Sequence, residues 1–215
     1  MRFLLTSSVM FVCVGCLFAQ EQTAAQASAT RGMPARATPG DYQARAQVGP
    51  ITIAAEFMKH EVQTAGRLLT TEDYVVVEAG VFGPPGTRTT LKPADFTLRI
   101  NGKKPLASEP YELVFKSLKD PEWEPDIPPE QKKSATSINS GGKAGDPPPA
   151  PPKPPFKLQR EWNQSMEKYA FPEGDRPLPQ AGLLFFKHGG KDSGVRTLEL
   201  IYSGPAGTAK LDLTP

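Results

Sequence analysis

Cysteine is nearly absent from this sequence. The chain of 215 residues contains two cysteines, Cys13 and Cys16, and both lie close to the N-terminus. If that terminus is removed on export, the mature chain has no cysteine, which excludes disulfides, thiol nucleophiles and cysteine metal sites together. The fold must then be stabilised by its core alone, and a chain of this length can bury a sufficient core.

Long apolar runs are also missing. The longest is residues 4–16, which is shorter than the roughly 20 residues that a membrane-spanning helix needs. A basic Arg2 precedes this run and a small residue, Ala19, follows it, which is typical of a cleavable signal peptide over residues 1–19. We therefore predict an exported protein, periplasmic or secreted, with no transmembrane span.

An alternative to simple cleavage remains open at Val14-Gly15-Cys16. This tripeptide partly matches a lipobox, in which the cysteine is lipidated and becomes the mature N-terminus. A lipid anchor at Cys16 would hold the protein at a membrane surface instead of releasing it.

Charge of one sign is not in excess. The chain has 25 basic and 23 acidic residues, and the two signs alternate along it. A basic stripe for nucleic acid and a polybasic cluster for lipid are both missing. We therefore predict no nucleic-acid partner.

The remaining chain divides by composition into a tether and one domain. Residues 20–40 are rich in small and polar residues and predict a flexible N-terminal tether. Residues 41–215 predict a single domain, because apolar and polar residues alternate with period two, as in half-buried strands. The predicted strands lie near residues 51–57, 75–81, 96–100, 182–187, 198–202 and 209–213. About seven short strands separated by turns such as Asn101-Gly102 indicate a sandwich or barrel.

A proline-rich stretch interrupts this pattern. Residues 119–156 cannot bury a core and predict a disordered insertion. Residues 157–170 then predict one amphipathic helix, because Leu158, Trp162 and Met166 share one face. We expect that face to pack on the sheet; a partner-binding helix is the alternative.

Few residues suggest chemistry, and we predict no catalytic, cofactor-binding or metal-binding residue. His60 and His188 lack a closely spaced third ligand of the kind that zinc sites show. Ser165 and Lys168 match Ser-x-x-Lys, but the partner motifs of penicillin-recognising enzymes are missing.

The binding candidates are four residues. Pro148 and Pro151 form a PxxP motif, which is either a stiff spacer or a ligand for an aromatic groove. Trp123 either docks on the domain or is exposed to a partner or a glycan. Trp162, on the predicted helix, is the second tryptophan that a ligand could contact.

Four segments resemble secreted immunoglobulin-like domains of bacteria. They are residues 72–82, 91–103, 182–186 and 198–202, which match the "vvvev" strand, the "psdF…nGk" hairpin and the "G-lvFevp…l-Y" end of that family. The resemblance implies an all-β immunoglobulin-like β-sandwich in an extracytoplasmic location. It supplies no catalytic residues, and a fold alone does not assign a function.

These observations favour a non-enzymatic interaction or structural module of the bacterial cell envelope. Its partner would be an unidentified protein or another envelope component. A module that binds a glycan or a small molecule is the first alternative, and a hydrolase is the second.

The position of cleavage is directly testable. We expect the protein recovered from the envelope of its bacterial host to begin at Gln20 and to contain no titratable thiol, because both cysteines are removed. Intact mass and N-terminal sequencing measure this. A mature chain that begins at a lipidated Cys16 would instead establish the anchored form.

Overall fold

The structure is a computed structural model that describes residues 31–64, 66–121, 123, 153–190 and 192–215. The predicted signal peptide, the lipobox and the first part of the tether lie outside these residues. So does most of the proline-rich insertion, including Pro148 and Pro151.

The described residues are mostly β, with one main helix. Thirteen strands and two α-helices form, and several strands have four residues or fewer. The strands are β1 (Ala44–Val48), β2 (Ile51–Phe57), β3 (Glu61–Thr64), β4 (Arg67–Thr71), β5 (Tyr74–Phe82), β6 (Arg88–Leu91), β7 (Phe96–Ile100), β8 (Leu106–Glu109), β9 (Leu118–Lys119), β10 (Gly174–Pro177), β11 (Gln180–Lys187), β12 (Leu198–Gly204) and β13 (Gly207–Leu213). The helices are α1 (Tyr111–Val114) and α2 (Phe156–Tyr169).

The six strands predicted from the sequence are all present, as β2, β5, β7, β11, β12 and β13. The expected total of about seven is too low, because the additional strands are mostly too short to show a clear alternation. A four-residue strand presents two residues to each face, which is not distinguishable from a loop in sequence alone.

One large antiparallel sheet has eight strands in the order β1-β2-β5-β11-β8-β7-β12-β13. The sheet curls so that its two outer strands approach each other. Near one end of β1, the Gln43 side-chain amide donates a hydrogen bond to the Thr214 carbonyl over 2.8 Å. Strands β6 and β10 form a separate pair, and β3, β4 and β9 form a small third sheet.

The inner face of the curled sheet encloses the main core. Alternate residues of its strands point inward and are almost completely buried, among them Ile53, Val77, Leu98, Leu200 and Leu211. Period-two alternation in the sequence is therefore the direct consequence of one face meeting this core.

The outer face of β5 and β11 carries a second core. Val76, Leu183 and Phe185 point outward there and pack with Trp162 and Met166 of α2. Both strands are therefore buried on both faces, which explains why residues 182–186 form a continuous apolar run. The predicted packing of the helix face on the sheet is confirmed.

Gly182 in β11 allows a close backbone approach at this face. A Cβ atom at this position would lie 2.4 Å from the Phe171 Cα. Because no real Cβ contact is so short, only glycine lets the chain after α2 run beside β11, where Phe171 N donates to the Leu183 carbonyl over 3.0 Å.

The tight turn predicted at Asn101-Gly102 is confirmed between β7 and β8. Both residues have positive φ, 52° and 68°. The Asn101 side chain also accepts a hydrogen bond from Arg196 N and donates one to the Gly194 carbonyl, each over 2.7 Å. The turn is thereby joined to the loop that precedes β12.

Residues 31–40 differ from the predicted tether, because they pack on the outer face of the sheet. Met33 N donates to the Ala181 carbonyl of β11 over 2.9 Å. The Arg36 guanidinium makes two hydrogen bonds to Glu78, of 3.2 and 2.7 Å, and another to Glu56. Composition cannot reveal this attachment, since it depends on carboxylates far away in sequence.

The two glutamates explain why the attachment is needed. Glu56 and Glu78 lie directly opposite each other on β2 and β5, and Glu78 is buried. Like charges opposite each other destabilise a sheet, and an unpaired buried carboxylate is costly. Arg36 compensates both, and its guanidinium also lies 4.5 Å from the centre of the Tyr42 ring.

Residues 119 and 120, at the start of the predicted insertion, pack against the small third sheet instead. Lys119 pairs with Thr70 in the ladder between β9 and β4. Asp120 is buried and accepts a hydrogen bond of 2.5 Å from Arg67. This ion pair holds the chain against the small sheet up to the point where the described segment ends.

Within the described part of the chain, no helix is long and apolar enough to cross a membrane. The longest, α2, has 14 residues.

The Arg36 cluster predicts a large difference between two arginine variants. Arg36→Met leaves Glu78 buried without its partner, and we expect it to lower the free energy of unfolding by about 3 kcal/mol. Arg88→Met removes an exposed ion pair with Asp175 and should cost less than about 1 kcal/mol. Urea denaturation of both variants measures this, and equal losses would show that the cluster is not a structural requirement.

Candidate functional site

A cleft of about 270 Å³ opens on the outer face of the large sheet, beside the C-terminal end of α2. We call it the Arg31 cleft. It is lined by Arg31, Pro93, Ser108, Glu109, Pro110, Tyr111, Glu112, Ala170, Phe171, Glu173, Leu183 and Phe185.

The floor of the cleft is apolar and the rim is polar. Leu183 and Phe185 are the outward-facing residues of β11, and the chain that leaves α2 adds Ala170 and Phe171. All four are buried. An apolar floor with a few polar groups above it is the usual form of a binding site.

The rim on one side comes from the end of β8 and the start of α1. Ser108 and Glu109 are the last residues of β8, and Pro110 precedes the helix. Proline has a fixed φ that suits the start of a helix, so the chain turns sharply here. The turn directs Tyr111 and Glu112 toward the cleft.

Gly32 brings Arg31 into the opposite wall. It has a φ of +109°, which favours glycine, and its N–H donates to the Lys168 carbonyl over 3.0 Å. A Cβ atom at Gly32 would lie 3.0 Å from the Ala181 carbonyl oxygen. Together with the hydrogen bond between Met33 and Ala181, these contacts fix the backbone next to Arg31.

The Arg31 guanidinium lies between two carboxylates and over an aromatic ring. Its Nη2 is 3.9 Å from Glu112 Oε1, and its Nη1 is 3.9 Å from Glu173 Oε1. Its Cζ lies 5.0 Å from the centre of the Tyr111 ring, within the range of a cation–π interaction. Both carboxylate distances exceed that of a hydrogen bond.

Two polar atoms of the cleft lining are buried without a hydrogen-bond partner among the described residues. They are Arg31 Nε and Ser108 Oγ. A buried polar atom left unpaired costs about 1–3 kcal/mol, so both represent unused capacity to bind. They are found on two separate elements of the same small cleft.

The electrostatics of the cleft act on Tyr111. Burial raises the pKa of its phenol, and the neighbouring carboxylates of Glu112 and Glu167 raise it further. Arg31 acts in the opposite direction and lowers it. The potential at Tyr111 is therefore negative in spite of the nearby arginine.

The two histidines considered as metal ligands do approach the same residue. His60 Nε2 is 3.1 Å from the Gly190 carbonyl oxygen, and a Cβ at Gly190 would lie 2.7 Å from His188 Nε2. However, His60 Nδ1 is also 2.6 Å from the Tyr74 carbonyl, so both of its ring nitrogens face carbonyl oxygens. No group of three or more His, Cys, Asp or Glu side chains that could hold a metal occurs among the described residues.

The Ser-x-x-Lys match lies on α2, where Ser165 is half-buried. Lys168 is exposed, and its ammonium is 5.8 Å from the centre of the Tyr169 ring. Lys168 also lines a shallow trough of about 240 Å³ with Gln164, Glu167 and Arg31. This trough adjoins the Arg31 cleft through their shared arginine.

The tryptophan candidates lie away from the cleft lining. Trp162 is buried in the core beneath α2, and its indole nitrogen has no hydrogen-bond partner within the described residues. Trp123 is half-buried, and its backbone N–H donates to the Asp120 carbonyl over 3.1 Å. A ligand on the surface therefore cannot reach Trp162 without opening the core.

Sequence reasoning missed every polar residue of the cleft rim. Arg31 lay in the predicted tether, and Glu112 and Glu173 belonged to no motif. The rim residues come from three distant parts of the chain, so no local spacing connects them. The local signals that did exist are Gly32 after the arginine and Pro110 before Tyr111.

Comparison of the chain with models of protein families, with characterised proteins and with solved structures finds no match. The residues of the cleft are therefore the observations from which we infer a function.

Tyr111 reports the charge balance of the cleft. We expect Arg31→Ala to raise the pKa of Tyr111 further and Glu112→Gln to lower it, whereas Lys210→Ala on β13 should leave it unchanged. Absorbance titration of the phenolate, or NMR of labelled tyrosine, measures the pKa.

The same shift has a consequence for stability. The folded state holds the Tyr111 proton more tightly than the unfolded state does. The stability that this gives the folded state is fully present below the ordinary tyrosine pKa of about 10, and it is lost as the pH rises through the pKa of Tyr111 in the folded state. If the pKa of Tyr111 were the same in Arg31→Ala and Glu112→Gln as in Lys210→Ala, the side chains of Arg31, Glu112 and Tyr111 would not meet as described.

Proposed function

We propose that this chain is a non-enzymatic, exported binding module of the bacterial cell envelope, and that it binds its partner through the Arg31 cleft. The observation that carries the proposal is a pair of buried polar atoms, Arg31 Nε and Ser108 Oγ, at the edge of an apolar floor, which have no hydrogen-bond partner in the described part of the chain. Native proteins pair nearly all buried polar groups, and exceptions call for an explanation.

The size of the cleft favours a protein partner over a free small molecule. Sites for drug-sized ligands have volumes of about 300–1,000 Å³. The Arg31 cleft, at about 270 Å³, is smaller and suits one side chain or one chemical group. Protein interfaces often bind through such an anchor, which fills a pocket near the centre of the contact.

The positions of the polar groups support a non-enzymatic role. The most buried charged residues serve the fold: Glu78 pairs with Arg36 and Asp120 pairs with Arg67. The ring nitrogens of His60 contact backbone carbonyls. The residues that are best placed for chemistry are thus already used in structure.

For the fold, we propose an immunoglobulin-like β-sandwich. Two features support it: a core between the inner faces of antiparallel strands, and short hairpins such as that between β12 and β13. Export to the periplasm or the medium, with or without the lipid anchor, belongs to the same proposal and is supported by the N-terminal sequence pattern.

Site-specific photo-crosslinking tests the binding surface. A benzoylphenylalanine placed at Pro93, a half-buried residue of the cleft lining that carries no charge, should give a defined adduct with a component of the bacterial envelope. The same residue placed at Asp212, an exposed position of β13 outside the cleft, is the matched control and should give none. Mass spectrometry identifies the adduct.

A charge reversal makes the test specific. Glu173→Lys should reduce the yield of the Pro93 adduct at least about tenfold, because a misplaced charge in an interface costs more than about 1.4 kcal/mol. Asp212→Lys should have no effect. No adduct from the Pro93 position, or the same adducts from the Pro93 and Asp212 positions, would disprove binding through the cleft.

A further inference from the structure

We propose that the Arg31 cleft recognises an arginine side chain of a partner protein, and that Arg31 is an intramolecular occupant which that side chain displaces. This inference deepens the proposed function and depends on it for the location of the site. It states which chemical group binds there and what must move.

The cleft already shows how it holds a guanidinium. That of Arg31 lies over the Tyr111 ring and between the carboxylates of Glu112 and Glu173. Glu109 also lines the cleft, so its rim carries three carboxylates and one cation. The surplus of negative charge favours a second cation over an anion.

The interactions of Arg31 in this site are weak. Its guanidinium nitrogens are 3.9 Å from either carboxylate, and its Nε is buried without an acceptor in the described residues. The side chains of Glu112 and Glu173 are 56% and 53% exposed. Ion pairs at such exposure contribute about 0–1 kcal/mol, which is no more than the cost of the unpaired Nε.

Arg36, in the same N-terminal segment, shows what a well-held arginine looks like. It makes a bidentate contact with Glu78 at 3.2 and 2.7 Å, contacts Glu56, and donates to the Asp41 carbonyl over 2.7 Å. The two arginines are five residues apart in sequence, yet only Arg36 has its donors paired in this way. Arg31 can therefore leave its position while Arg36 keeps the segment attached.

An arginine from a partner could use the site better than Arg31 does. Its backbone enters from solvent instead of from Gly32, so its guanidinium can approach a carboxylate at hydrogen-bond distance with two parallel N–H donors. Once Arg31 has moved, its Nε is no longer buried without an acceptor. Lysine lacks the planar fork and would gain less from both the ring and the carboxylates.

Calorimetric titration with N-acetyl-arginine amide tests the displacement. In the wild-type chain, Arg31 competes with the arginine amide for the cleft. The apparent affinity of the chain for the amide is therefore reduced in proportion to the fraction of molecules in which Arg31 occupies the cleft. We expect Arg31→Ala to bind the arginine amide about twofold to tenfold more tightly than the wild type, because Arg31 is held only weakly and leaves the cleft part of the time. N-acetyl-citrulline amide is the matched control, with the same shape and no charge, and should not bind measurably to either chain.

The carboxylates should be required for this binding. Glu112→Gln together with Glu173→Gln in the Arg31→Ala chain should abolish the preference for arginine over citrulline, and added salt should weaken the arginine complex. Equal affinity of the Arg31→Ala chain for the two amides would overturn the inference. So would an affinity for the arginine amide no higher than that of the wild type.

A second measurement keeps the test valid if the Arg31→Ala chain fails to fold. NMR of the wild-type chain follows the Arg31 Nε–H resonance while the arginine amide is added. Displacement should move this resonance toward the position of an exposed arginine, and an unchanged resonance at saturating amide counts against displacement. If crosslinking at Pro93 succeeds but arginine is not preferred, this inference alone fails. If crosslinking at Pro93 also fails, so does the proposed function.

Discussion

The contact between Arg36 and two opposed glutamates is the interaction on which the rest of this structure depends. Glu56 and Glu78 face each other across β2 and β5, and Glu78 is buried. A sheet cannot tolerate that arrangement unless a cation covers it. Arg36 provides the cation and thereby attaches residues 31–43 to the outer face of the sheet. The Arg31 cleft exists because this segment is held there.

Two parts of the outer face of the sheet therefore have different roles. Around Arg36 the polar groups are closely paired, and they stabilise the fold. Around Arg31 they are loosely arranged, with long ion-pair distances and two unpaired buried atoms. Proteins commonly keep their less satisfied groups at the places where they bind. The contrast between two arginines in one segment connects the architecture to the proposed role in recognition.

Much of the fold follows from local pattern. Strands with one face inside, such as β7 and β12, alternate clearly, and β11 shows the continuous apolar run of a strand covered on both faces. The helix face with Trp162 and Met166 could also be predicted from the sequence. The short strands could not, because four residues are too few to show a period. The cleft could not be predicted either, since its rim is assembled from residues 31, 108–112 and 173.

The sequence by itself determined the loss of cysteine chemistry if its N-terminus is removed, the principal strands, the helix and the turn at Asn101. These depend on neighbours within a few residues, where backbone preference and the period of apolar residues decide the outcome. Only the tertiary structure decided that residues 31–40 are part of the fold and that Arg31 meets Glu112 and Glu173. The physical reason is that charge pairing and enclosure act through space, between groups that the order of the chain does not bring together.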